Sequence, residues 1–198
     1  MNGIGERSTV QNLVVLVYCM KFDTKKNGVK QMGIYDSRPW LKAIDTLVPR
    51  EYELPEMPVY SYLVDSFRKY PNNTAVYYYG TEFTYAELEA LTNKLANGLR
   101  ELGVEKGDRV IIHMDNCPQY VIAFFALMKL GAIVVQVGPM SSAAELLTIA
   151  NDSGATGIIT LDFLVSKVQQ IFDESQLKFV VAGSLYDYLP RNPFPCPP

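Results

Sequence analysis

RVIIHMDNCPQYVIAFFALMKLGAIVVQV, residues 109–137, decides the fold. Val110, Ile111 and Ile112 form a short apolar run with β-branched side chains, as a strand buried on both faces requires. Asn116 is placed to cap the following helix, with Pro118 in the first turn and Gln119 in the capping-box position. That helix runs to about Leu130, Gly131 closes it, and Ala132 to Val137 reads as a second strand. The helix carries Val121, Ile122, Phe124, Phe125, Leu127 and Met128 around nearly its whole circumference. A helix apolar on all sides is either a membrane span or buried in protein. This one is too short to span, so it is expected to lie buried within a larger protein.

The pattern continues in the C-terminal direction. Pro139 breaks the strand, and Ser142 with Glu145 forms a capping box that opens a helix ending near Asn151. Ala155 to Leu161 is a strand. Asp162 caps a helix through about Phe172, and Leu177 to Ala182 is the last strand. Strand and helix alternating in this way predict a parallel sheet with helices on both faces, joined by right-handed crossovers. After Gly183 the sequence becomes loop-like and rich in proline, which continues neither helix nor sheet.

Upstream, Val59, Leu63, Val64, Phe67 and Tyr70 share one helical face, and Pro71 stops the helix. Ala75 to Tyr79 favours a strand. Gly80-Thr81 suits a type II′ turn, with the return strand starting at Glu82-Phe83. Thr84 and Glu87 form another capping box. Leu88, Leu91, Leu95, Leu99 and Leu102 trace an amphipathic stripe, and Gly103 stands where a left-handed cap belongs. Lys106-Gly107-Asp108 reads as a turn. The resulting partition is a leader, 1–31, a lead-in segment, 32–58, an α/β unit, 59–182, and a proline-rich tail, 183–198.

Composition narrows the class. With 198 residues, 48% hydrophobic and 20% charged, the chain can bury a domain-sized core. A net charge of −3 without basic runs argues against nucleic acid as a partner. Cys19, Cys117 and Cys196 are odd in number and far apart, so a disulfide framework is not expected and a reducing, cytoplasmic compartment fits. One histidine and no Cys-x-x-Cys leave no zinc ligand set. The apolar run Leu13 to Met20 is shorter than a membrane span and lacks the basic flank of a signal peptide, so no transmembrane segment is expected. Asn72 and Asn151 head glycosylation-type triplets, which without a secretion signal are chance matches.

Chemistry is harder to find. No Walker-type loop and no Gly-x-Gly-x-x-Gly follows a strand, and Gly103 and Gly107 are better explained as backbone punctuation. There is no Gly-x-Ser-x-Gly elbow. His113 is the lone side chain with an ordinary pKa near neutrality. It is kept as a secondary candidate against the simpler reading of a strand histidine satisfied by hydrogen bonds. Glu87, Glu89, Glu101 and Glu105 suit caps and a solvated face. Tyr77, Tyr78 and Tyr79 suit a strand with alternating faces rather than a base-stacking platform. No catalytic, cofactor-binding or metal-binding residue is assigned.

Six short blocks nevertheless resemble the AMP-forming acyl-CoA synthetases, in order and spacing. Phe83-Thr-Tyr-Ala-Glu-Leu88 with Asn93-Lys-Leu-Ala-Asn-Gly-Leu99 resembles that family's opening helix. Gly103-Val-Glu-Lys-Gly-Asp-Arg-Val110 resembles the connector into its first long parallel strand. Asn116-Cys-Pro-Gln-Tyr120 with Ala123-Phe-Phe-Ala126 resembles its buried helix. Lys129-Leu-Gly-Ala132 and Val135-Gln-Val-Gly-Pro139 resemble the end of that helix and the next strand, and Asn151-Asp-Ser-Gly-Ala155 a later helix exit. Tyr35-Asp-Ser-Arg-Pro-Trp-Leu41 is similar to the start of microbial long-chain fatty-acid–CoA ligases. Gly138 and Gln136 depart from the family, which often shows Asn and Pro there.

The resemblance implies an incomplete N-terminal subdomain of the adenylate-forming ligase fold, from a truncated or split gene. It implies a fatty acid as substrate, with ATP, Mg and coenzyme A serving the full-length enzyme. The phosphate loop ending Pro-Lys-Gly, the ribose-binding aspartate and the mobile C-terminal lysine are absent, so no catalytic residue is carried over and the chain alone is expected to be inactive. Its expected partner is the remainder of the ligase or a second copy. The alternative is a non-catalytic, stand-alone binding or scaffold module of the same fold.

Overall fold

The computed structural model describes residues 37–44, 56–191 and 193. The leader, Cys19, Cys196, the run Leu13 to Met20 and residues 192 and 194–198 of the proline-rich tail lie outside the described residues. The chain divides into two units between residues 54 and 55. In the first, the described residues form a 3-10 turn over Pro39–Lys42.

The second unit begins with helix α1, Val59–Lys69, followed by a hairpin of β1, Thr74–Tyr78, and β2, Thr81–Thr84. Phe67 is buried on α1, but Val59 and Tyr70, placed by periodicity on the same apolar face, are more than half exposed. The hairpin turn differs from the sequence expectation by one residue. Tyr78 pairs with Thr81, so the central turn residues are Tyr79 and Gly80. Both have positive φ, 46° and 97°, which is the type I′ pattern rather than II′. β-Branched Thr81 joins the strand, and Tyr79 takes the left-handed position with its ring packed edge-on against Tyr78.

Helix α2, Tyr85–Glu101, starts with the expected capping box. The Glu87 carboxylate accepts from the Thr84 N–H at 2.8 Å, and the Glu87 N–H donates to the Thr84 hydroxyl at 3.2 Å. Its end is a Schellman motif around Gly103, whose φ is 89°. Val104 N–H reaches the Leu99 carbonyl and Gly103 N–H the Arg100 carbonyl, each at 3.0 Å.

Four parallel strands follow: β3, Arg109–His113, β4, Ile133–Val137, β5, Gly157–Leu161, and β6, Phe179–Gly183, in the order β4-β3-β5-β6. Between them lie α3, Pro118–Leu130, α4, Ala143–Ser153, and α5, Val165–Ile171. Alternation along β3 sorts the core into two layers. Val110, Ile112 and Met114 pack with Leu99 of α2 and Ala123, Ala126 and Leu127 of α3. Ile111 packs on the other face with Leu146 and Ala150 of α4 and Val168 and Ile171 of α5. Both faces of the sheet are thus covered by helices. Each fully buried Leu or Ile in these layers contributes about 1.5–3 kcal/mol of transfer free energy.

Two expected caps are not used. Cys117, not Asn116, is the N-cap of α3 and makes no side-chain cap bond. Gln119 is occupied elsewhere, donating from Nε2 to the Ser184 carbonyl. Asp162 lies inside a 3-10 turn, Asp162–Leu164, that precedes α5, and its carboxylate accepts from the adjacent Phe163 N–H. The apolar helix α3 is covered from within this chain, by α2, the sheet and α1, and none of its large apolar side chains is exposed. Tyr120, Val121, Phe124, Phe125, Met128 and Leu130 on it are only half-buried.

Candidate functional site at the carboxyl ends of the parallel strands

Open parallel sheets take ligands outside the carboxyl ends of their strands, where the strand order reverses. Here β3 leads to β4 on one side, and β5 leads to β6 on the other, so the reversal lies between β3 and β5. His113 and Thr160 are paired in register at that point.

Both are fully buried polar residues. The Thr160 hydroxyl donates to the His113 carbonyl at 3.0 Å. The His113 ring is a different matter: neither Nδ1 nor Nε2 makes a well-formed hydrogen bond, and its one polar contact is a poorly formed one to the Gly138 main chain. The expectation of a buried strand histidine holds, but its hydrogen bonding is weaker than expected, limited to the Gly138 main chain. By parity the residue faces the same layer as Ile111. Burial pushes its pKa below the ordinary value, the nearby Lys167 ammonium pushes the same way, and the hydrogen-bonding contact with the Gly138 main chain opposes them. The ring is neutral at neutral pH and out of contact with solvent, so it has no reach to a substrate in this arrangement.

Lys167, on α5, fixes the loop leaving β4. Its Nζ donates to the Pro139 carbonyl at 2.9 Å and the Ser141 carbonyl at 2.8 Å. Met140, at the tip of that loop, is 92% exposed. No local sequence signal marks Lys167, since its partners lie 26 and 28 residues away. Arg109 has a related structural role. Its guanidinium donates to the carbonyls of Ser153 at 3.0 Å and Gly154 at 2.8 Å, closing the end of α4.

After β6, residues 184–189 fold back over the hairpin. Thr81 donates to the Tyr188 carbonyl at 2.7 Å, and Tyr188 stacks edge-on against Phe83 at 5.2 Å. This strap, α2, α3 and the ends of β5 and β6 enclose a cleft of about 380 Å³. Its walls are mostly apolar, including Leu91, Leu95, Ile122 and Val181, with Lys94 and Asp187 also lining it.

The remaining candidates are structural. Gly103 and Gly107 both have positive φ and serve turns. Glu87 caps, and Glu101 and Glu105 are exposed. Tyr77 is 62% exposed, whereas Tyr79 belongs to the turn rather than the strand. Cys117 is a buried free thiol whose pKa is raised, by burial first. Its Sγ lies 4.0 Å from Met114 Sδ, which is no base. Among the described residues no three His, Cys, Asp or Glu side chains gather as a metal site would need. Among the described residues no nucleophile is paired with His113.

The family described as AMP-binding enzyme matches residues 63–192. Over 153 residues the chain is 36% identical to a long-chain-fatty-acid–CoA ligase of Bacillus subtilis (strain 168), covering 77% of this chain and 27% of that protein. It is 30% identical over 140 residues to 4-coumarate–CoA ligase 1 of Solanum tuberosum, covering 70% of this chain and 26% of that one. The solved structure of a long-chain-fatty-acid-CoA ligase from Archaeoglobus fulgidus superposes with a TM-score of 0.62 at 23% identity, over 70% of this chain and 30% of that chain. At that identity the likeness speaks for the fold. The chain spans about a quarter of the length of the curated relatives it matches. The six ordered blocks, the parallel sheet they build and the match over residues 63–192 converge, and this chain belongs to the AMP-binding enzyme family.

Proposed function

We propose that this chain is the opening part of a fatty-acid–CoA ligase, which joins a carboxylic acid to coenzyme A through an acyl-adenylate, and that these 198 residues do not turn over alone. The observation that carries the reading is the 36% identity to the Bacillus subtilis ligase, spread over 153 residues yet spanning 27% of that protein. The fatty-acid assignment rests on that relative, since the Solanum tuberosum protein at 30% identity is named for a different acid.

ATP, Mg and coenzyme A belong to this proposal as groups of the full-length enzyme. The residues present do not fit them. The sequence has no Gly/Ser/Thr-rich loop ending Pro-Lys-Gly, and the described residues offer no gathered carboxylates for a metal. No reaction step is therefore assigned to any side chain of this chain. Its contribution is a folded α/β wall, with the remainder of the ligase as its partner. A cytoplasmic location belongs to the same proposal. Among the described residues no helix is long and apolar enough to cross a membrane.

The test is pyrophosphate release by the purified chain supplied with fatty acid, Mg-ATP and coenzyme A. No release above the enzyme-free rate is expected, and turnover that depends on the acid would overturn the inactivity.

One observation favours the second reading, a stand-alone module. The apolar surface of α3 is covered by α1, α2 and the sheet of this same chain. Size-exclusion chromatography separates the two readings, since a soluble monomer supports an independent module and concentration-dependent association supports a unit that needs a partner.

A further inference from the structure

Three tyrosines meet beside the carboxyl end of β3. Tyr78 ends β1, Tyr79 opens the turn, and Tyr186 lies in the strap after β6. With Asp115, Asn116, Leu185 and Leu189 they line a second cleft, of about 340 Å³. The Tyr78 and Tyr79 rings stand edge to face at 4.8 Å. The Tyr78 hydroxyl reaches the Leu185 carbonyl at 3.4 Å, which links one wall to the other.

Asp115 is the one charged side chain among the residues that line this cleft. Asp115 is exposed, and among the described residues it has no cationic partner. Burial comes first among the influences that raise the Tyr78 pKa, and the Asp115 carboxylate acts in the same direction. A negative cleft repels phosphate, so a nucleotide is a poor occupant despite the aromatic walls. Aromatic faces attract cations, and a guanidinium, being planar and weakly hydrated, stacks on them better than an ammonium. The volume exceeds a guanidinium alone and leaves room for three methylenes against Leu185 and Leu189.

The geometry points to a binding site for one arginine side chain of a polypeptide partner, stacked on the tyrosines with its charge against Asp115. This stands apart from the ligase reading, because it needs neither ATP nor an acyl substrate.

The test is an NMR titration of the whole chain with N-acetyl-arginine N-methylamide. The neutral isostere N-acetyl-citrulline N-methylamide and the corresponding lysine compound are titrated in parallel. The expected result is saturable shifts of the Tyr78, Tyr79 and Tyr186 ring signals and the Asn116 side-chain amide, with a Kd on the order of millimolar. Citrulline shifts none of them, and lysine binds more weakly. Asp115→Asn weakens arginine binding about three- to fivefold. Tyr186→Ala weakens it comparably and is the second route should Asp115→Asn not fold. Equal shifts from citrulline, no saturation, or full affinity in the folded variants would overturn the site. Lysine binding as tightly as arginine would overturn the guanidinium assignment.

Discussion

Replacing His113 by leucine is expected to stabilise the protein and to flatten its response to acid. In the folded chain the imidazole is fully buried, and neither nitrogen makes a well-formed hydrogen bond, its one polar contact being to the Gly138 main chain. A buried polar group without a well-formed hydrogen bond costs about 1–3 kcal/mol, and an apolar group of similar volume avoids that cost. Leucine is slightly larger, and fitting it returns part of the gain. The net expectation for His113→Leu is about 1–2 kcal/mol of added stability at pH 8. With a urea m-value of about 2 kcal/mol/M, that moves the unfolding midpoint up by about 0.5–1 M.

The sign of the pH effect follows from the lowered pKa. Burial, aided by Lys167, holds the folded-state value below the ordinary histidine value of about 6.5. Above that pH neither state binds the proton. Below it, the unfolded chain takes up a proton that the folded chain refuses. Stability therefore falls as pH drops from about 6.5 toward the folded value, with a slope of at most about 1.4 kcal/mol per pH unit from this residue. Urea unfolding of both proteins at pH 8, 6 and 5 measures this. The stabilising advantage of His113→Leu should widen on acidification. A variant that is destabilised at pH 8, or one whose stability parallels the parent at every pH, would refute the picture of a poorly hydrogen-bonded neutral ring.

Three further outcomes follow from local geometry. Gly157→Ala should cost about 1–3 kcal/mol, because a Cβ there would fall well under 3.0 Å from three atoms of the Phe179 ring. Pairing it with Phe179→Leu should recover part of the loss in a urea double-mutant cycle. Thr84→Ala removes the capping box of α2 and should lower stability by about 1 kcal/mol, read as a shift in urea midpoint without a change in slope. Lys167→Met removes both donors to the Pro139 and Ser141 carbonyls, so amide hydrogen exchange of residues 140–143 should speed up while the buried strand β5 stays protected.

What could be read from sequence was what depends on neighbours in sequence. The capping boxes at Thr84 and Ser142 and the left-handed glycines 103 and 131 depend on residues three to five positions apart, and they form as expected. Alternating strand and helix gave the parallel sheet for the same reason. Misreadings arose where distant residues compete. Thr81 joins the strand because Tyr78 pairs across from it, which moves the turn by one residue. Gln119 leaves the capping position because Ser184, 65 residues later, offers a carbonyl. The poor hydrogen bonding of His113 depends on how the loop after β4 passes its ring, and no pattern along the chain encodes that. Membership in the family was legible from ordered blocks, whereas no motif along the chain pointed to a site.

The most direct test of the central claim is a chimera. Residues 56–191 of this chain replace the matching segment of the Bacillus subtilis long-chain-fatty-acid–CoA ligase, and pyrophosphate release is measured with fatty acid, Mg-ATP and coenzyme A. If this chain is the opening α/β part of such a ligase, the folded chimera releases pyrophosphate in an acid-dependent manner while this chain alone does not. A chimera that is soluble and melts cooperatively, yet releases none, would contradict the account.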